Sequence, residues 1–167
     1  IIVTKCPESM SAKQKQEFIA GIDPGPYQKV YFSYQKQLLP IPAWDASLGQ
    51  WSEKYETVAL SGIANATAFE TYIDRISAKS LPRSFSDHHS YDRYDLESVR
   101  DMLENLSEEK RVVVTTEKDL MRLYEFRSWF EANKIPLWVA RVGLAFHEND
   151  EELLLKDLQD FLSFSAQ

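Results

Sequence analysis

The sequence has little glycine and proline, a single cysteine, no long apolar run and no basic stripe. Five glycines and seven prolines in 167 residues fall well below average usage, which points to regular elements rather than loops. The G-x-x-x-x-G-K-[ST] phosphate cradle is excluded, because no two glycines stand five apart and none precedes a lysine. Nineteen Lys and Arg face 26 Asp and Glu, a net charge of −7. No basic run exceeds a pair, so a general nucleic-acid binder, which must displace counterions from phosphates, is not expected. Apolar stretches are a few residues long, short of the ~18 that read as a membrane span, and no signal-peptide pattern is visible. Cys6 alone makes no internal disulfide and has no companions at zinc-ligand spacing, so a reducing compartment is the natural setting.

What is present is core. A hydrophobic share of 44% with 13% aromatic residues is enough for one domain of this length. The expectation is a single α/β domain over residues 1–167. Because the chain begins Ile1-Ile2-Val3-Thr4, without Met and already strand-like, it reads as a segment of a longer protein.

Hydrophobic periodicity gives the order of elements. Ile1 to Thr4 is a β-branched run that suits a buried strand. Ser11 and Gln14 form a capping-box pattern ahead of a helix to Ala20, with Gly21 as its stop. Lys29 to Tyr34 alternates as a strand, and residues 35–56, with Pro40, Pro42, Trp44, Gly49 and Trp51, read as a long irregular connection whose tryptophans cover a core edge. Thr57–Ser61 is a strand, Asn65 an N-cap, and Phe69, Ile73 and Ile76 one buried stripe. A short strand near Leu81 is followed by a helix capped by Asp95, carrying Leu96, Val99, Leu103 and Leu106. Val112-Val113-Val114 is the strongest strand signal. Thr116 and Asp119 open another helix, Leu137–Val142 is the last strand, and Asp150 starts the closing helix with Leu154, Leu158, Phe161 and Leu162 on its apolar face. This alternation predicts a Rossmann-like α/β/α domain with a mainly parallel sheet. Ligands in such folds gather at the carboxyl ends of strands.

Four segments at those ends are the candidates for chemistry. Asp87-His88-His89 holds two of the three histidines; in an extended segment His88 and His89 point to opposite sides, which disfavours one metal held by both. Proton handling fits better, since a carboxylate partner fixes an imidazole's tautomer, though a hydrogen-bonded turn would need the same residues. Thr116-Glu117-Lys118 joins strand to helix and would suit an anionic group or simply a cap. Gly62 permits close backbone approach, and Asn65 stands where it would bind or cap. Lys5, just after the first strand, is a cation within reach of a nucleotide or a solvated side chain. No Ser-His-Asp triad can be argued.

Taken in order, Ile2-Val3-Thr4-Lys5-Cys6-Pro7, Ala59-Leu60-Ser61-Gly62-Ile63-Ala64-Asn65, Phe85-Ser86-Asp87-His88-His89-Ser90-Tyr91 and Val114-Thr115-Thr116-Glu117-Lys118-Asp119 resemble the C-terminal half of the tetraacyldisaccharide 4′-kinase family, the lipid A kinases. Each motif is weak; four in register over most of the chain are specific. The chain has Ala66 where the family commonly has proline, a change that loses only pre-organisation of the helix start.

The resemblance implies transfer of the ATP γ-phosphoryl group to the 4′-hydroxyl of a tetraacylated glucosamine disaccharide 1-phosphate, a lipid A precursor. It also implies ATP and Mg²⁺, bound mainly by a P-loop half that lies outside this sequence. By motif match His88 would pair with a carboxylate of that half and help deprotonate the sugar hydroxyl, with Asp87 in support. His89 would face substrate or turn, and Lys5, Gly62, Asn65, Thr116, Glu117 and Lys118 would line the nucleotide cleft. The segment alone is expected to be soluble and inactive, in the cytoplasm, with the whole protein peripheral on the inner membrane's cytoplasmic face. The reading from another class is a stand-alone, non-catalytic Rossmann-like binding module.

Overall fold

The computed structural model describes residues 1–165. In chain order the elements are β1 (Ile2–Cys6), α1 (Ala12–Ile22), β2 (Tyr31–Pro42), a 3₁₀ turn at Ala46–Leu48, β3 (Glu56–Ser61), α2 (Ala66–Ile76), β4 (Lys79–Ser84) and α3 (Arg93–Leu103). Then come β5 (Arg111–Thr116), α4 (Glu117–Leu123), a 3₁₀ turn at Tyr124–Phe126, α5 (Arg127–Ala132), β6 (Leu137–Phe146) and α6 (Asp150–Ser165). Where the composition leads to one domain, the contacts gather into two compact units: Ile1–Lys36 with Val142–Gln167, and Gln37–Arg141.

The larger unit, Gln37–Arg141, is a parallel sheet in the order β6-β5-β3-β4. Period-two alternation sorts its strands between two cores. Val58, Leu60 and Val113 face Leu96, Val99 and Leu103 of α3, Leu123 and Phe130. Ala59, Val112, Val114 and Trp138 face Phe69, Tyr72 and Ile73 of α2. Burial of both faces explains the near-continuous apolar runs of β3 and β5. Pro82 is tolerated because β4 is the edge strand.

Both tryptophans of the 43–55 stretch cover core edges. Trp44 packs edge-on against Phe130 at 5.6 Å. Trp51 meets Trp138 at 5.3 Å and donates from its indole to the Ile76 carbonyl at 3.0 Å. The irregular connection expected at 35–56 is shorter, because β2 continues to Pro42. Its pairing with β1 ends at Tyr34, so Pro40 and Pro42 fall where no β1 backbone demands an N–H. The helix expected to be capped by Asp95 is capped by Asp92; Asp95 is its N3 partner in a capping box. Asn65 occupies the N-cap of α2 without a side-chain capping bond.

The smaller unit holds β1 parallel to β2, α1 and α6. Its α1 has the expected capping box of Ser11 and Gln14, and the helix runs past Gly21 to Ile22. Within the smaller unit the His147 amide donates to the Phe32 carbonyl at 3.0 Å, and within the larger the Ala43 amide donates to the Leu137 carbonyl at 2.9 Å. Lys29 and Tyr31 both bond Asp157 of α6, and the Phe32 amide donates to Asp150 at 2.7 Å. No residue of α1 is buried, and Leu153, Leu155, Leu158, Phe161 and Leu162 of α6 are exposed.

Candidate functional site

Three strand ends of the larger unit meet at one spot. Gly62 follows β3, Phe85 to Tyr91 follow β4, and Thr116 ends β5 and caps α4. The segment after β4 is tied back to β3 by Phe85 donating to the Ser61 carbonyl at 2.8 Å and His88 donating to the Gly62 carbonyl at 3.2 Å. Gly62 is closely walled: a Cβ there would stand 3.2 Å from both Asp119 Oδ1 and the Tyr91 hydroxyl, and 3.3 Å from His89 Cβ. Close approach, rather than an unusual φ, is what favours glycine here.

Asp119 organises the centre. Fully buried, it accepts from the Gly62 amide at 3.0 Å, from the Thr116 hydroxyl at 2.7 Å and from Arg122 Nη1 at 3.1 Å. A buried carboxylate needs such donors, and three of them with one cation satisfy it. Arg122 also donates through Nη1 to the Gly62 carbonyl at 3.2 Å and through Nη2 to His88 Nδ1 at 3.1 Å. The buried Tyr91 hydroxyl has no hydrogen-bond partner of good geometry among the described residues. Burial first, and then the Asp119 charge, push its pKa well above the ordinary phenol value.

The two adjacent histidines have different environments. The His88 side chain is 77% exposed, its backbone is left-handed at φ 60°, and its Nε2 lies 3.5 Å from Asp87. Left-handed backbone is uncommon outside glycine, and here the His88 amide is held by donating to both Gly62 O and Asp87 Oδ1. His89 turns inward: its ring stacks on Phe85 with centroids 4.3 Å apart, and Nε2 bonds Asp95 at 2.7 Å.

A family model described as tetraacyldisaccharide-1-P 4′-kinase matches residues 1–160. The chain belongs to this family. The tetraacyldisaccharide 4′-kinase of Phocaeicola vulgatus is 27% identical over 97% of the chain and 45% of that protein. The kinase of the same name from Parabacteroides distasonis is 29% identical over 78% of the chain and 38% of that protein. That from Porphyromonas gingivalis is 30% identical over 74% of the chain and 35% of that protein. The chain thus spans less than half the length of these relatives. Among solved structures, "apo" LpxK from Aquifex aeolicus in complex with ATP covers 80% of this chain and 38% of that chain, with TM-score 0.47 and 14% identity.

In this tetraacyldisaccharide 4′-kinase family chain, the structure brings Gly62, Asp87, His88, His89 and Thr116 together. Glu117 and Lys118 are exposed on the first turn of α4, and Asn65 is exposed ahead of α2. The Thr116 hydroxyl is committed to the cap, accepting from the Asp119 amide while donating to its carboxylate. Lys5 belongs to the smaller unit, where its φ of 59° coincides with a register shift in β1. Sequence reasoning missed Arg122, which lies three residues past Asp119 on the same helix face; that i, i+3 spacing was the available signal. It also missed Asp95 as the partner of His89 and Tyr91 as the wall against Gly62.

Proposed function

We propose that the chain is the C-terminal part of an enzyme that transfers the γ-phosphoryl group of ATP to the 4′-hydroxyl of a tetraacylated glucosamine disaccharide 1-phosphate. The observation that carries this reading is an exposed His88 anchored at the carboxyl ends of the strands, in a chain matched by the family model over residues 1–160. In the step proposed, the sugar oxygen forms a bond to Pγ as the bond from Pγ to the β-phosphate oxygen breaks. ADP leaves, and the hydroxyl proton passes to His88. Phosphoryl transfer is mostly positioning and charge stabilisation, so one oriented base is the protein's main chemical contribution here.

Asp87, beside Nε2, supports the imidazole, while His89 fixes the loop that presents it. Exposed Asn65, Glu117 and Lys118 are the side chains of this unit that would face the nucleotide, with Gly62 and Thr116 setting the floor. The residues present do not by themselves fit a Mg²⁺ site. Asp119 already accepts three bonds, and no group of three His, Cys, Asp or Glu among the described residues could hold a metal ion. The ligands of the ion would belong to the P-loop half.

That half is the proposed partner of the exposed apolar faces of α1 and α6. No helix among the described residues is long and apolar enough to cross a membrane; the setting proposed for the whole protein is peripheral, on the cytoplasmic face of the inner membrane. The test is phosphate transfer from ATP to the disaccharide by the full-length protein. His88→Ala should lower the rate by about 10²–10³-fold at unchanged thermal stability. A normal rate from the folded variant would remove His88 from the mechanism, and absence of transfer by the wild-type protein would leave the non-catalytic binding module as the better reading.

A further inference from the structure

Resting on the proposed role of His88, a second assignment concerns which of its nitrogens is free to act. A guanidinium only donates hydrogen bonds and stays charged throughout the ordinary pH range. Arg122 Nη2 stands 3.1 Å from His88 Nδ1, so Nδ1 must be the acceptor. The proton of the neutral ring then sits on Nε2, facing the Asp87 carboxylate at 3.5 Å. Arg122 is not free to drift, because its Nη1 bonds both Asp119, which is fully buried, and the Gly62 carbonyl. The same Gly62 carbonyl accepts from the His88 amide, so one backbone group ties down both partners.

We propose that Arg122 is a positioning residue that holds the His88 imidazole as its Nε2–H tautomer and withholds Nδ1 from protons until Nη2 lets go. In the arrangement seen, Nε2 has a proton and no lone pair to offer, while the Nδ1 lone pair is occupied. His88 therefore works as a base only when the Nη2 arm is exchanged for the incoming hydroxyl. Nη1 keeps the guanidinium anchored during that exchange. The anchoring makes the competition local: an anionic group arriving beside Nη2 would draw it from the ring without disturbing Asp119.

The test is long-range proton–nitrogen correlation NMR of the full-length protein labelled with ¹⁵N-histidine, in alkaline buffer. His88→Gln assigns the signals by their loss. The wild type is expected to show the Nε2–H pattern alone for His88, and Arg122→Met a mixture of both tautomers. A mixed or Nδ1–H pattern in the wild type overturns the assignment without recourse to any variant, and so does an unchanged pattern in a folded Arg122→Met. If that variant fails to fold, Arg122→Lys keeps a cation beside Asp119 but lacks the fork that reaches three acceptors, and it too should lose the single tautomer. An unchanged pattern in Arg122→Lys would overturn the assignment. Should the tautomers behave as expected while His88→Ala transfers phosphate normally, the kinase role of His88 fails and the assignment to Arg122 stands.

Discussion

The Gly62 amide donates to Asp119 Oδ2 across 3.0 Å, although 57 residues separate the two in sequence. This bond joins the end of β3 to the first turn of α4, and the same carboxylate holds Arg122 and the Thr116 hydroxyl. The cluster at these strand ends is built around a fully buried carboxylate, and Arg122 links that carboxylate to His88.

Replacing Gly62 tests how tight the centre is. Gly62→Ala puts a methyl 3.2 Å from Asp119 Oδ1 and the Tyr91 hydroxyl. Neither neighbour is the far end of a flexible chain, so the expected loss is about 1–3 kcal/mol, the usual range for overpacking. Chemical denaturation against wild type measures it, and a neutral result would show that the carboxylate can move aside.

Asp119 itself should be costlier. Asp119→Ala leaves Arg122 facing a cavity and strands the Gly62 amide, and removing one partner of a buried ion pair costs about 3–5 kcal/mol. Thr116→Ala removes only the cap and its hydroxyl bond, for about 1 kcal/mol. The order of the two in a urea titration is the check.

The two histidines should separate cleanly. His89→Ala loses the stack on Phe85 and the bond to Asp95, an expected loss of about 1–3 kcal/mol of stability. His88→Ala, at a 77% exposed side chain, should leave the melting temperature within a degree or two, as surface substitutions do. Thermal melts of both variants decide the matter, and a large loss from His88→Ala would mean the ring is structural.

In the smaller unit, Tyr31 and Asp157 share a hydrogen bond. The bond to Asp157 first, then burial, lifts the Tyr31 phenol from 10.0 to about 12. The folded state therefore keeps a proton that the unfolded chain loses, and stability contributed by Tyr31 should decline as pH rises from about 10 through 12. Asp157 moves the other way: hydrogen bonds from Lys29 and then Tyr31 lower its pKa below 3.8. Its contribution is present above that value and is lost as pH falls through the folded-state pKa. Tyr31→Phe should flatten the alkaline arm of a melting-temperature profile; an arm of unchanged slope would rule out this bond as its source.

Much of the fold could be read because its signals are local. The capping box of Ser11 and Gln14, the valines of β5 and the Thr116 cap all formed where the residue pattern placed them. Asp92 was overlooked in favour of Asp95 because both are acidic and three apart, and a capping box uses one of each pair in either role until the chain direction at its start is known. Strand β2 was cut short for a related reason. Proline breaks a strand only where a neighbour needs its N–H, and which edge is paired is not written in the residue itself.

The sequence by itself determined the alternation of strands and helices, the family, and the loop that carries Asp87, His88 and His89, because period, caps and motifs lie within a few neighbours of one another. Only the tertiary structure decided which histidine is exposed, that Asp119 is a buried hub rather than a solvated first-turn acid, and that Arg122 reaches across 34 residues to His88 Nδ1. Those outcomes depend on which strand ends are brought together. A carboxylate acquires its role from the donors that surround it after burial, and no spacing along the chain records them.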